Sequence, residues 1–379
     1  MDVKPFVSII SPVRNAERTI DTTIQYLLNV DYPREKMEIV FADGGSTDKT
    51  QEIIKKWQEK YAFINLVLVP DSKSPGHARN AALKVVKGEY ILFTDGDCAP
   101  HKDWVEKMVE PFVKDPEVGM VGGEVFTLRT DPNNDTETYC EATGFLSIGD
   151  RVGMKNGGYY PSIKKDWPSE INGSQTCPFF ATANAAVSKK AALAIGNEFW
   201  HEPTGEDVDF NLRILKKGFK LFFNPSAVVD HMHRASPQQF YKQLYGYGYG
   251  HPLLLKMHAK KVLEVYFAFG KGLSFVIPFY TQGIFYIGDF MLMNLSFLAF
   301  VVSIATTALF GGIVGHWAPN MVTLVLTLIF GYRFFAPCFK IKPAGKLLTW
   351  MTIAYLSKWN FIKGGLDGQK KFGTVNVEG

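Results

Sequence analysis

The sequence predicts an α/β domain with a mostly parallel central sheet, followed by a membrane-embedded helical region near the C-terminus. Three observations predict it. Strand-like and helix-like stretches alternate from Phe6 to Cys98, as expected of parallel strands joined by crossover helices. The apolar run Tyr90-Ile91-Leu92-Phe93 stops abruptly at Asp95-Gly96-Asp97, where two carboxylates flank one glycine. Charges thin out after about Tyr266, and residues 290–315 contain no Asp, Glu, Lys, Arg or His, longer than the roughly 20 residues a bilayer requires.

Phe6 to Pro12 reads as the first strand, and Val13-Arg14-Asn15-Ala16-Glu17 as the turn launching a helix through about Asn29. Met37 to Ala42 is a second strand running into Asp43-Gly44-Gly45-Ser46-Thr47-Asp48, which caps a helix over Gln51 to Tyr61. Leu66 to Pro70, a helical stretch over Arg79 to Lys87 and the strand before Asp95 repeat the unit. In such sheets ligands collect beyond the carboxyl ends of the strands, where Asp43, Asp95 and Asp97 all stand.

Gly96 lets the backbone turn so that Asp95 and Asp97 face one point, a donor set suited to Mg2+ or Mn2+ with a diphosphate. The same tripeptide also serves as an ordinary strand-to-helix turn. Asp43 suits either a nucleotide edge or a helix cap. Arg79 opens its helix, where a guanidinium reaches a diphosphate or simply faces solvent.

Thr127 to Tyr160 contains Pro, Asn, Asp and Gly with weak periodicity and reads as mobile loops over the site. Pro178 to Val187 is a short strand feeding a helix over Lys189 to Ile195. Gly205-Glu206-Asp207-Val208-Asp209 then starts a helix whose Val208, Phe210, Leu212 and Leu215 face inward. Its acids fit the helix dipole, and a carboxylate there can also take a proton from an attacking hydroxyl. Leu221 to Val229 is a strand ending Asp230-His231-Met232-His233-Arg234, with both histidines on one side of an extended chain; one of them suits a third metal position.

Ala318 to Phe339 is a second apolar stretch, broken only by Arg333, so a two-span hairpin is expected. Lys340, Lys342 and Lys346 follow it, whereas Gly315 to Asn320 carries no Lys or Arg. The positive-inside rule therefore places both chain ends, and the catalytic domain, in the cytosol. Leu253 to Tyr280 and Ala344 to Lys363 mix lysines with aromatic and aliphatic residues and read as interfacial helices. The expected organisation is a catalytic domain over 1–235, amphipathic helices over 236–283, two spans over 284–340, and an interfacial helix with a cytosolic tail over 341–379.

No signal peptide is visible after Met1. Cys98, Cys140, Cys177 and Cys338 lack CxxC spacing and read as free thiols of a reducing compartment. A net charge of +4 is too slight for nucleic acid, which is not expected as a partner. Asn-x-Ser/Thr triplets start at Asn134, Asn172 and Asn294, and would stay unmodified in the cytosol or the membrane.

Together, Pro12-Val13-Arg14-Asn15, Asp43-Gly44-Gly45-Ser46-Thr47-Asp48, Ala78-Arg79-Asn80, Asp95-Gly96-Asp97, Gly205-Glu206-Asp207-Val208-Asp209 and His231-Met232-His233 stand in the order of a known family. The chain resembles the inverting glycosyltransferases of family 2, which have the GT-A fold, and specifically their membrane-anchored members. The resemblance implies a nucleotide-sugar donor, UDP- or GDP-linked, contacted by Pro12, Arg14, Asn15, Asp43, Arg79 and Asp95. It implies Mn2+ or Mg2+ at Asp97, with Asp95 and His231 nearby, Asp207 as general base, and Glu206 shaping the acceptor site. Many relatives carry a second Asp where this chain has Gly44.

The implied reaction is a single in-line displacement with inversion onto a lipid-linked acceptor, with a polyprenyl-linked glycan the first choice and a glycerolipid the second. Processive relatives carry Gln-x-x-Arg-Trp after the catalytic domain, where this chain has Gly246-Tyr247 after Gln243, so transfer of one sugar is expected. A sugar nucleotidyltransferase would need a glycine-rich basic N-terminal signature, and Val7 to Arg18 has no glycine. A degenerate scaffold would have no need to keep Asp97 and Asp207 together.

Overall fold

Apolar runs with alternating side chains become the centre of the first unit. Strands β1 (Val7–Val13), β2 (Met37–Asp43), β3 (Ile64–Leu68) and β4 (Tyr90–Phe93) lie side by side and parallel in the order β3-β2-β1-β4. Along β2 the period of two sends Met37, Ile39 and Phe41 to one face and Val40 and Ala42 to the other. Each face has its own core. The computed structural model describes residues 4–149, 154–160, 179–202, 204–259, 263–267, 273–277, 283–309 and 317–379, and it divides into two compact units that change over between Ala235 and Ser236.

Helix α1 (Ile20–Leu28) buries Ile20, Ile24 and Leu27, spaced four and three apart, on the first face, beside Ile54 of α2 (Thr50–Lys60). The second face takes Ala78 and Ala82 of α3 (Pro75–Leu83). Ser74 caps α3 by accepting the His77 N–H, and Pro75 fits its first turn, where no N–H is needed. Full burial of a side chain such as Phe41 or Phe93 contributes roughly 1.5–3 kcal/mol.

Beyond β4 the sheet becomes mixed. Strands β5 (Cys98–Pro100), β6 (Val118–Leu128), β8 (Ala185–Ser188) and β9 (Lys220–Met232) continue it as β4-β8-β6-β9-β5, with the short β7 (Gly158–Tyr159) beside β9. β8 is antiparallel to both β4 and β6, and β6 runs parallel to β9. Helices α4 (Trp104–Lys114), α5 (Asp135–Thr143), α6 (Lys189–Ala194) and α7 (Glu206–Lys216) complete the unit. The 127–160 segment, expected as loops, therefore holds the end of β6 and helix α5, which Asn134 caps through the N–H groups of Thr136 and Glu137.

The second unit departs further from expectation. Helix α8 (Pro237–His258) is followed by strands β10 (Leu263–Phe267), β11 (Leu273–Ile277) and β12 (Gly283–Ile287), where residues 253–280 were expected as interfacial helices. Leu263-Glu264-Val265-Tyr266-Phe267 and Leu273-Ser274-Phe275-Val276-Ile277 are rich in β-branched and aromatic residues, and strand pairing overrides their amphipathic appearance. The helix expected over Ala344–Lys363 forms as α11 (Leu347–Phe372), with Trp350 fully buried on it. The expected tail supplies β13 (Val375–Glu378), parallel to β12.

Helices α8 and α11 cross closely through glycines. A Cβ at Gly248 would run into the Phe361 carbonyl, and one at Gly364 into the Tyr245 carbonyl. The Tyr-Gly repeat of α8 therefore serves backbone contact, while Tyr245 donates to Asp367 at 3.1 Å. Helices α9 (Asp289–Leu309) and α10 (Trp317–Phe335) are long and apolar enough to cross a membrane. Leu298, Val302, Leu328 and Ile329 stand exposed, while Thr327 to Ser296 (3.1 Å) and Arg333 to Asp289 (2.9 Å) join the two helices. Asn172, Cys177 and residues 310–316 of the hairpin turn lie outside the described residues.

Candidate active site

Strand register sets the site. Val13 pairs with Asp43 and Ile10 with Phe93, so the ends of β1, β2 and β4 share one edge of the sheet, with Pro12, Asp43 and Asp95 along it. Asp43 is buried, and its Oδ2 accepts from the Gly45 and Ser46 N–H groups (3.2 and 3.0 Å) and from Gln51 Nε2 (2.7 Å). Its Oδ1 is buried with no partner in the protein, a costly state for a carboxylate oxygen. One oxygen thus ties the turn while the other remains an acceptor.

Gly45 holds φ +83°, and a Cβ there would stand 2.7 Å from the Pro70 carbonyl oxygen, so the turn admits only glycine. Asn15, expected near the donor, binds the neighbouring turn instead: its N–H donates to Ser46 Oγ (2.8 Å) and its Oδ1 accepts from the Thr47 N–H (2.9 Å). Arg14 beside it is exposed.

The Asp95-Gly96-Asp97 turn is also closely packed. A Cβ on Gly96 would lie 2.7 Å from Val13 Cγ1, and the Gly96 carbonyl accepts from Thr19 Oγ1 at 2.7 Å. Arg79, only 2% exposed, does not reach outward. Its Nη2 donates to Asp95 Oδ1 at 2.8 Å and its Nη1 to Glu206 Oε1 at 3.1 Å. One buried guanidinium therefore joins the turn after β4 to the first residue of α7, and Asp95 is engaged by Arg79 and not grouped with Asp97.

Gly205, at φ +79°, turns the chain into α7. Burial, with the neighbouring charge of Asp207, pushes the Glu206 carboxyl up to about 7, against the pull of Arg79. Asp207 is half-buried, and its Oδ1 accepts from the Val208 N–H at 2.8 Å. Its carbonyl accepts from Asn211 Nδ2 at 2.7 Å. Asp209 is held by Arg213 at 2.8 Å on the same helix. Of the three acids, Asp207 is the most exposed.

Strand β5 pairs Cys98 with His231, which brings the second carboxylate of the turn to the end of β9. His231 Nδ1 lies 2.6 Å from the Met232 carbonyl, an acceptor only, so this nitrogen carries the proton. Its Nε2 then faces Asp97 Oδ1 at 3.4 Å. Cis ligands on an octahedral ion, each about 2.1 Å away, stand about 3 Å apart. Asp97, His231 and Cys98 bring ligand atoms within 4.8 Å of one another.

The Asp97 carboxylate suits Mn2+ or Mg2+ and the His231 imidazole suits Mn2+; the Cys98 thiol suits neither, and its burial pushes its pKa well up. His233 turns elsewhere, with Nε2 2.8 Å from Thr127 Oγ1, and burial lowers its pKa to about 3. Sequence reasoning passed over Arg234, whose Nη1 lies 3.6 Å from Asp97 Oδ2, although it directly follows the histidines.

Comparison with known proteins accords with this geometry. Residues 8–163 match the model of glycosyl transferase family 2, and residues 90–336 that of glycosyl transferase family group 2. The chain is 27% identical over 270 residues to a dolichyl N-acetyl-alpha-D-glucosaminyl phosphate 3-beta-D-2,3-diacetamido-2,3-dideoxy-beta-D-glucuronosyltransferase of Methanococcus voltae, covering 70% of this chain and 78% of the relative. It is 27% identical over 239 residues to glycosyltransferase AglE of Haloferax volcanii, covering 63% and 71%. In fold it is similar to the mannosyltransferase PcManGT of Pyrobaculum calidifontis, solved with GDP-Man and Mn2+, at TM-score 0.55 and 18% identity over 96% of this chain and 88% of that one. On the breadth of the second family match, and with acids at the strand ends and the start of α7, the chain belongs to glycosyl transferase family 2.

Proposed function

We propose that the chain transfers one sugar, with inversion, from a nucleoside-diphosphate sugar to a lipid-linked acceptor, a polyprenyl-linked glycan, at the cytosolic membrane face. The observation that carries this reading is the Asp95–Arg79–Glu206 bridge, which holds the acidic turn after β4 beside the acid-led start of α7. Asp207, next to Glu206 and more exposed, takes the proton of the acceptor hydroxyl as that hydroxyl attacks the anomeric carbon. Glu206 shapes the acceptor side, and Arg79 holds it there.

The nucleotide end lies at the ends of β1 and β2, where Pro12 and Asp43 stand and the unpartnered Asp43 Oδ1 offers an acceptor to a base N–H. Asp97 and His231 Nε2 are the residues that would hold a divalent cation, and their separation fits one. Such a cation, when bound, supplies charge stabilisation to a leaving diphosphate. The Mn2+ bound to the mannosyltransferase of similar fold and the dolichyl-linked name of the Methanococcus voltae relative support the cation and acceptor classes. Two helices of membrane-spanning length, with Lys340, Lys342 and Lys346 after the second, support a two-span anchor with the catalytic unit in the cytosol.

The test is nucleotide release from a panel of UDP- and GDP-sugars, with and without Mn2+, using wild type and Asp207→Asn. The variant should keep donor binding and lose at least about 100-fold in turnover, the usual scale of general-base catalysis. Transfer retained in that variant would remove Asp207 as the base.

A further inference from the structure

We propose that Arg234 is a diphosphate-binding residue, which donates to the phosphate oxygens of the nucleotide beside Asp97. The proposal rests on the nucleotide-sugar reading above and adds a residue to it.

The backbone that presents Arg234 is fixed from three sides as β9 ends. The Met232 N–H donates to the Asp97 carbonyl at 2.9 Å. Arg18 Nη2 donates to the His233 carbonyl at 3.4 Å, and Asn134 Nδ2 to the Arg234 carbonyl at 3.4 Å. These partners come from the β4–β5 turn, the segment before α1 and the cap of α5, so this strand end is a built position.

The side chain is disposed differently from that of Arg79. Arg79 is buried and its terminal nitrogens are engaged by two carboxylates. The Arg234 side chain is 45% exposed, with Nη1 3.6 Å from Asp97 Oδ2, the oxygen opposite the one facing His231. Exposed ion pairs of this length contribute little to stability, so folding does not require a cation here.

A guanidinium carries five N–H donors in a planar fork that matches phosphate oxygens, so contact with one carboxylate oxygen leaves donors for an anion. An anion held near Asp97 and His231 would come within reach of that fork. Arg234 would then oppose the carboxylates of this edge and favour the part of the nucleotide with the greatest negative charge. A nucleoside monophosphate lacks the second phosphate and gains less.

Calorimetric titration of the full chain in detergent with UDP, GDP, UMP and GMP in the presence of Mn2+ tests this. Arg234→Ala should weaken the preferred diphosphate about 10- to 100-fold, the range for hydrogen bonds to charged groups, and leave the matching monophosphate within about threefold. Arg234→Lys should recover part of the loss as a point charge without the fork. In turnover the alanine variant should raise the donor KM and also lower kcat, because charge on the departing diphosphate grows as the bond breaks.

Equal loss for mono- and diphosphate, or no loss for either, overturns the assignment. A wild type that binds a diphosphate while Arg234→Ala binds it equally well removes Arg234 alone. A wild type that binds none of the four nucleotides removes the donor reading and this residue with it.

Discussion

Arg79→Met isolates the electrostatic bridge, because methionine keeps much of the length and apolar bulk of the arginine stem and removes the charged fork. The substitution leaves Asp95 and Glu206 without their shared partner. Glu206 is the costly side, since its side chain is only 11% exposed and breaking a buried ion pair costs about 3–5 kcal/mol. Asp95, 31% exposed, adds about 0–1 kcal/mol. The Glu206 cost is capped, because a carboxyl already pushed to about 7 by burial escapes it by taking a proton.

Arg79 lowers the Glu206 pKa in the fold, so the variant raises it further. Just above pH 7 the folded variant then binds more protons than folded wild type, and its stability falls faster as pH rises. The loss should therefore be small at pH 6, about 1–2 kcal/mol, and approach the full 3–5 kcal/mol at pH 8.5. Urea unfolding of the full chain in detergent, followed by tryptophan fluorescence at both pH values, measures it. Equal destabilisation at pH 6 and pH 8.5 would refute the argument that the guanidinium acts by holding Glu206 ionised.

Two further outcomes follow from packing and burial. Gly248→Ala should destabilise the second unit by about 1–3 kcal/mol, the usual cost of overpacking, because its methyl meets the Phe361 carbonyl of α11; a denaturation midpoint equal to wild type would contradict that crossing. His233 has a folded pKa of about 3, well below its ordinary value of about 6.5, so the unfolded chain takes up a proton that the fold refuses. Its contribution is fully present above pH 6.5 and is lost as pH falls toward 3, so His233→Gln should flatten the acid limb of the stability curve. An unchanged limb would remove His233 from that role.

The parallel half of the sheet was legible because each strand carries its own period and ends at its own turn. Strand β6 was not. Val118-Gly119-Met120-Val121-Gly122-Gly123 looks broken by glycine, yet Gly122 lies against the Phe180 ring and Gly123 against the Ala227 carbonyl and Asn184. Close approach by distant residues explains those glycines, and distant residues are invisible to a local pattern. The same limit explains Arg79, whose partners lie 16 and 127 positions away. His231 and His233 share a parity, so periodicity could not separate them; the Met232 carbonyl and Thr127 do so in the fold. Around β10 and β11 the lysines Lys256, Lys260, Lys261 and Lys271 give the stretch an amphipathic composition that two strands of only five residues each do not outweigh.

Charge at the sheet edge links the bridge to the proposed cation. Asp43, Asp95, Asp97, Glu206 and Asp207 all belong to β2, the β4–β5 turn or the start of α7, and Arg79 and Arg234 offset only part of them. A nucleoside diphosphate, on the proposed reading, would bring more negative charge to the same edge, so attraction would require cations there. Arg79 is committed to fixing two of the acids, which keeps α7 in register with the turn but leaves its charge already compensated. Arg234 and a divalent ion between Asp97 and His231 would then divide the remaining work, the ion at one carboxylate oxygen and the guanidinium at the other. The acids that would make the site hostile to its donor are, on this reasoning, what would make it selective for a donor arriving with a metal.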